Sequence, residues 1–233
     1  MDTKKKYKLT EETINVDGRT LYRIEALTYF GNVKQGDKGG FIENENNLTQ
    51  YGKCWVYDNA TVSGYAMVHN NATVSGNAKV SGNAIIHEDA KVYGDAKVSG
   101  KVIVHDKAEI YDNAEVHGDT MVYENAKIYG NAKVSGNAVV FGDAEVCGKA
   151  EVCDNAEIRG NAIVANDSDY IVFKNWWSSG RYFTWTKSNN MWKVGCFYGS
   201  GKQLINKAYM DSELSGREYE RVVRYVDKDY RNG

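Results

Sequence analysis

The chain has no proline, four cysteines and four histidines in 233 residues, and a formal net charge of only −2. Each scarcity excludes something. Without proline, regular strands can run on with no rigid interruption. Four cysteines at this length are not a disulfide framework. They read as free thiols in a reducing, cytoplasmic setting. The balanced charge gives no global reason to expect nucleic acid or a membrane surface as partner. No apolar run is long enough to span a bilayer, and the start, Met1-Asp2-Thr3-Lys4-Lys5-Lys6, is merely polar. The expectation is a cytoplasmic protein with no membrane partner.

What is present is a repeat. From Val56 to Val164 every sixth residue is Val or Ile. Four residues after each sits a small residue, nearly always Ala; between Ala60 and Ala162 only Val102 and Thr120 depart. Ala-x-Val-x is a short alternating strand with Ala and Val on one side. Gly-Asn or Asp-Asn then turns a corner with residues that tolerate left-handed backbone. One such side cannot bury its apolar face alone. Three sides closing a triangle, stacked coil on coil, bury a continuous column. A second period of eighteen supports three sides. The outward residues Met67, Ile85, Ile103, Met121 and Val139 form one apolar column. Lys91, Glu109, Lys127 and Glu145 form a second, of alternating sign, beside Tyr93, Tyr111 and Tyr129. Lys79, Lys97, Glu115, Lys133 and Glu151 form a third.

This pattern resembles the hexapeptide-repeat family, which implies a left-handed parallel β-helix. The expected fold class is mainly β, with that β-helix over 48–166, an N-terminal β-hairpin cap over 1–47 and a small α+β domain over 167–233. Inside the repeat, Val80, Val98, Val116 and Val134 are expected to point inward, and Cys54 falls on an inward small position. Cys147 and Cys153 point outward from neighbouring sides, too divergent to bridge. In the cap, Asp17-Gly18 between two alternating runs signals a hairpin. The glycines of the 32–42 loop do not match a phosphate-binding spacing and read as a structural turn. The stretch from Glu25 through Ala60 is similar to the YdcK-like hexapeptide proteins of enteric bacteria. The resemblance lies in Phe30-Gly31-Asn32-Val33-Lys34-Gln35-Gly36, in Gly39-Gly40-Phe41, in Leu48-Thr49-Gln50 and in Cys54-Trp55-Val56-Tyr57-Asp58. Similar openings occur in phage and prophage proteins. The resemblance implies a mobile-element origin and brings no catalytic residues.

The apolar side is the candidate interaction strip: Met67 with His69, Ile85 with His87, Ile103 with His105, Met121 with Tyr123, Val139 with Phe141. On the stacking distance it measures roughly 24 Å by 10 Å. Soluble monomers seldom leave such a strip uncovered. A homodimer is the expected occupant, with the C-terminal domain or a foreign protein as rivals. The corner beside it carries Asn70, Glu88, Asp106 and Glu124. Three imidazoles near acids suggest zinc or a general base. Side chains of a flat column project in parallel, however, so no metal site, cofactor or catalytic residue is expected.

After Asn166 the composition changes. Tyr170–Lys174, Tyr182–Thr186 and Trp192–Phe197 read as three strands. A helix over 202–211 follows, then a second opening after Ser215 as N-cap, with Tyr219, Val222, Val223 and Val226 on one face. From Asp167 onward there are 11 basic and 8 acidic residues. Trp176, Trp177, Arg181, Trp185 and Lys193 are the C-terminal binding candidates, in an arrangement loosely similar to AP2-type DNA-binding domains. Small domains also use such aromatics simply as core. The favoured expectation is a non-catalytic protein-interaction module of phage or prophage type that binds, and inhibits, a host defence protein. The alternatives are an acetyl-CoA-dependent acyltransferase of the hexapeptide-repeat type and a nucleic-acid or nucleotide binder acting through the C-terminal domain.

Overall fold

The computed structural model describes residues 5–230. Met1 to Lys4 of the polar start, and Arg231, therefore lie outside the described residues. The repeat forms a parallel β-solenoid. Two-residue strands recur every six residues from Trp55–Val56 to Ile163–Val164. Strands eighteen residues apart pair in register, as Lys97 with Glu115 and Ile103 with Met121. Three parallel sheets result. One side runs from Thr61–Val62 to Glu151–Val152, a second from Trp55–Val56 to Ile163–Val164, and a third from Met67–Val68 to Glu157–Ile158. Backbone bonds run from each coil to the next: Ile103 N–H donates to Thr120 O at 3.0 Å and His105 N–H to Val122 O at 3.0 Å. The Val/Ile column and the Ala column are buried throughout, including Val80, Val98, Val116 and Val134. Each coil thus supplies the apolar partner its neighbours lack.

The corners explain the Gly/Asp/Asn usage. Gly100 has φ 86°, and a Cβ there would lie 2.7 Å from Gly118 O. Other corners use acids in the same left-handed region: Glu88 at φ 58°, Asp106 at 57°, Asp112 at 57°. That backbone costs a non-glycine residue roughly 1 kcal/mol. The carboxylates offset it by bonding one coil further on. Asp58 accepts from Gly76 N–H at 2.9 Å, Glu88 from Asp106 N–H at 2.9 Å and Asp112 from Gly130 N–H at 3.2 Å.

The hairpin of Tyr7–Val16 and Arg19–Ala26 turns at Asp17 (φ 50°) and Gly18 (φ 79°). Positive φ at both central residues matches the twist of the flanking strands. Arg19–Ala26 pairs antiparallel with Lys38–Ile42, and that strand pairs parallel with Thr61–Val62. The hairpin therefore extends one solenoid sheet instead of leaving its edge open. Gly39 and Gly40 are not a turn, as expected from sequence, but part of this joining strand. A Cβ on Gly39 would meet Val56 O at 2.5 Å, and one on Gly40 would meet Ala60 O at 2.4 Å. They are glycine because two backbones touch there. Trp55 is buried beneath, with Tyr7 and Phe30 edge-on at 6.0 and 5.2 Å.

The C-terminal segment is a four-stranded antiparallel meander, not three-stranded. Its strands are Tyr170–Lys174, Tyr182–Thr186, Met191–Val194 and Phe197–Ser200. A turn at Gly195 (φ 52°) splits the run expected to be one strand. Helices α1 (Gly201–Asp211) and α2 (Glu213–Asp229) follow. The cap of α2 is Ser212, whose hydroxyl accepts from Ser215 N–H at 3.1 Å, so the expected cap lies inside the helix. Phe183, Trp185, Trp192, Leu204, Tyr219, Val223 and Val226 form a second core.

This segment closes the far end of the solenoid. Where the next coil would supply carbonyls, side-chain hydroxyls accept instead: Thr184 from Glu157 N–H at 2.9 Å and Ser188 from Ile163 N–H at 2.7 Å. Tyr198 OH donates to Arg159 O at 3.2 Å. No helix among the described residues is long and apolar enough to cross a membrane.

Candidate functional site

The third side of the solenoid gathers the residues of interest. Because each strand is in register with the one eighteen residues away, the rings outside it stack. His69 and His87 lie 5.0 Å apart, His87 and His105 5.1 Å, His105 and Tyr123 5.0 Å, and Tyr123 and Phe141 4.9 Å. Met67 is 43% exposed and Met121 38%. Ile85, Ile103 and Val139 between and beyond them are half-buried. Phe141 departs from the expected exposed strip: only 6% of it is accessible, with the Arg159 guanidinium 5.0 Å from its ring. The C-terminal segment seals the last coil beside it and is not the cover of the strip.

The corner next to the rings converges more than a flat column should. His105 Nδ1 lies 3.2 Å from Asp106 Oδ2 and 3.8 Å from Glu88 Oε2. Ligating atoms of Glu88, His105 and Asp106 all lie within 4.8 Å of one another. The side chains at this corner do not all project in parallel. The left-handed corner backbone turns each carboxylate along the stack, toward the N–H of the next coil, and this brings Glu88 and Asp106 to the Nδ1 edge of His105. These three could hold a divalent cation, though Glu88 and Asp106 already accept backbone N–H groups at 2.9 and 3.1 Å. That bonding holds the Asp106 carboxyl below its usual range: the Glu124 N–H is the largest cause, and His105 and His87 add to it. The corner lines an open cleft of about 540 Å³ formed by Asn70, Glu88, Asp106, Glu124 and the residue after each. His69 differs from His105: its Nδ1 faces an amide, Asn70 Oδ1, at 3.3 Å.

His87, between two other imidazoles, is held below its ordinary pKa, first by burial and then by its neighbours His69 and His105. A free imidazole titrates near about 6.5. The unfolded chain therefore takes up this proton before the folded one does. The stability tied to neutral His87 is complete above that value and is lost as pH falls from it toward the folded pKa. The loss of thermal stability between neutral and mildly acidic pH should be smaller in His87→Phe than in the wild type. Unfolding midpoints at both pH values measure this, and parallel losses in the two proteins would contradict it.

The C-terminal candidates do not assemble into one surface. Trp185 is fully buried, and its Nε1–H donates to Asn190 Oδ1 at 2.9 Å. Lys193 is engaged by Glu157 at 2.7 Å, across the junction with the solenoid. Trp177 packs edge-on against Tyr219 at 4.9 Å. Trp176, 72% exposed, and Arg181 remain at the surface. Three of the five residues chosen for binding are thus structural: Trp177 and Trp185 because a small unit with four short strands needs its aromatics inside, and Lys193 because it ion-pairs across the junction.

Fold and site together define a hexapeptide-repeat parallel β-solenoid with a ring-lined face. The family model for the YdcK Beta solenoid repeat matches residues 56–70. An E. coli (strain K12) protein named "Uncharacterized acetyltransferase YdcK" is 36% identical over 83 residues. That match covers 32% of this chain and 26% of the relative, so the chain spans about a quarter of the relative's length. These findings fit a YdcK-like hexapeptide-repeat protein.

Proposed function

We propose that the chain transfers an acetyl group from acetyl-CoA to an amine, with the third side of the solenoid as the reacting face. One observation carries the reading. His105 Nδ1 lies 3.2 Å from the Asp106 carboxylate, beside an open polar cleft. An imidazole with a carboxylate at one nitrogen and its other nitrogen left for the substrate is the usual make-up of a general base. Nε2, on the opposite edge of the ring, takes the acceptor's proton as the amine attacks the thioester carbonyl. The C–S bond breaks, and the thiolate of coenzyme A leaves with that proton. The cleft holds four carboxylates, Glu88, Asp89, Asp106 and Glu124, against one lysine, Lys107. An acceptor bearing amino groups fits that charge. The relative named as an acetyltransferase supports the same reaction class. The test is release of free coenzyme A from acetyl-CoA in the presence of polyamine and amino-sugar acceptors. Release dependent on acceptor supports the reading; none above the protein-free rate overturns it.

A second reading rests on the exposed Met67 and Met121 among stacked rings. Here the strip is a protein-binding face, occupied by a second copy in a two-fold dimer, as isologous interfaces are the commonest. Burying most of it from both sides would remove on the order of 1,000 Å², the lower limit for a credible interface. In the wider form of this reading the chain is a phage-type rod that captures and blocks a host protein through the same face. Ile103→Lys places an unpaired ammonium at the centre of the strip, where its desolvation has no compensation. Light scattering at tens of micromolar should give a dimer for wild type and a monomer for Ile103→Lys. A wild-type monomer would rule the dimer out.

A further inference from the structure

At the N-terminal end of the solenoid a lysine lies where a charge is costly. Lys6 is only 4% exposed. Its Nζ donates to Cys54 O at 3.0 Å and lies 3.4 Å from Tyr51 O and 3.3 Å from Cys54 Sγ. The Phe30 ring is 4.9 Å away. Among the described residues no carboxylate forms a salt bridge with it, whereas the adjacent Lys5 pairs with Glu45 at 2.7 Å. Burial pushes the Lys6 ammonium down and the Cys54 thiol up. Cys54 is itself fully buried, at the inward position that Ala60, Ala66 and Ala72 fill in the following sides. Packing there asks only for a small residue. The sulfur stands where the amine reaches it.

We propose that Lys6 and Cys54 form a covalent modification site, joined by dioxygen through an N–O–S bridge. One S–H and one N–H bond break, and S–O and O–N bonds form. Thiol and amine together give up four electrons. Dioxygen takes them; one of its oxygen atoms stays in the bridge and the other leaves as water with the two released hydrogens. The amine and the thiol already touch, so little movement is needed. The bridge links residues 48 apart in sequence. It ties the residue that precedes the first hairpin strand to the first coil, next in sequence to the Tyr7–Trp55 contact. By restricting the unfolded chain it stabilises the capped end, as other long-loop cross-links do.

The experiment compares full-length protein held in air-saturated buffer with protein kept anaerobic and reduced. Intact mass should rise by about 14 Da in air, distinct from the simple oxygen additions of cysteine oxidation. The gain should reverse with dithiothreitol. Tryptic peptides should show lost cleavage after Lys6 and a linked peptide holding Cys54. The bridged form should unfold roughly 5 °C higher than the reduced form. Cys54→Ala, which matches the neighbouring sides, and Lys6→Arg should each lose both the mass gain and the reductant-sensitive shift. Unchanged mass in air, or oxygen added to Cys54 alone with Lys6 still cleaved, overturns the proposal. So does a gain that persists in Cys54→Ala.

Discussion

Val98→Asp should abolish cooperative folding of the solenoid. Val98 is fully buried, with Val80 and Val116 on the neighbouring coils of the same column. An aspartate there has no cation and no donor within the column of Val and Ala. The penalty for an unpaired buried carboxylate, added to lost packing, is about 4 kcal/mol or more. In a solenoid it falls on two interfaces at once, because each coil touches only its neighbours. The control is Lys79→Asp, on the outward face of the same sheet and exposed. That change should stay within about 0.5 kcal/mol, as surface substitutions do. Thermal unfolding followed by circular dichroism separates the two. A wild-type midpoint for Val98→Asp would mean that the inward column is misassigned.

The second large effect concerns the reaction proposed for the third side. His105→Ala should lower acetyl transfer by at least about 100-fold, the usual scale for a lost general base. Acetyl-CoA binding should change little, since the imidazole acts on the acceptor's proton. Asp106→Asn should lower turnover less, because the amide keeps the size of the ring's neighbour and removes only its charge. His69→Ala should remain near wild type: that ring stacks in the same column but faces the Asn70 amide instead of a carboxylate. Initial rates of thiol release for the four proteins measure the set. Equal rates for His105→Ala and wild type would remove His105 from the chemistry.

The solenoid could be read from sequence because its two periods are geometric. A six-residue side and an eighteen-residue coil decide, for every position, which way it faces and what lies above it. The ring stack His69–His87–His105–Tyr123–Phe141 is a direct result of the second period. The convergence of Glu88, His105 and Asp106 is not, because it depends on corner φ values that side-chain periodicity does not carry. The C-terminal segment was less legible for another reason. The type of Trp185 fits a core as well as a binding face, and Lys193 looks like a surface residue; one fills the second core and the other ion-pairs with Glu157 of the last coil. Both roles come from contacts between distant parts of the chain. The fourth strand was hidden because Gly195-Cys196 makes a turn too short to interrupt an apolar run visibly.

The in-register pairing of residues eighteen apart makes the molecule a ruler with a fixed graduation. Losing or gaining six residues would carry every downstream column round to the adjacent side, and the imidazoles would no longer share a face. Losing or gaining eighteen leaves each column where it was and changes only its height, by about 4.8 Å. The two end structures join the solenoid at its ends, through Lys38–Ile42 on Thr61–Val62 and through Thr184 and Ser188 on the last coil, so coils between them can be added without touching either junction. Variation in such a chain is therefore tolerated in whole coils. The reach of the ring-lined face is a counted quantity, set by how many graduations the gene encodes.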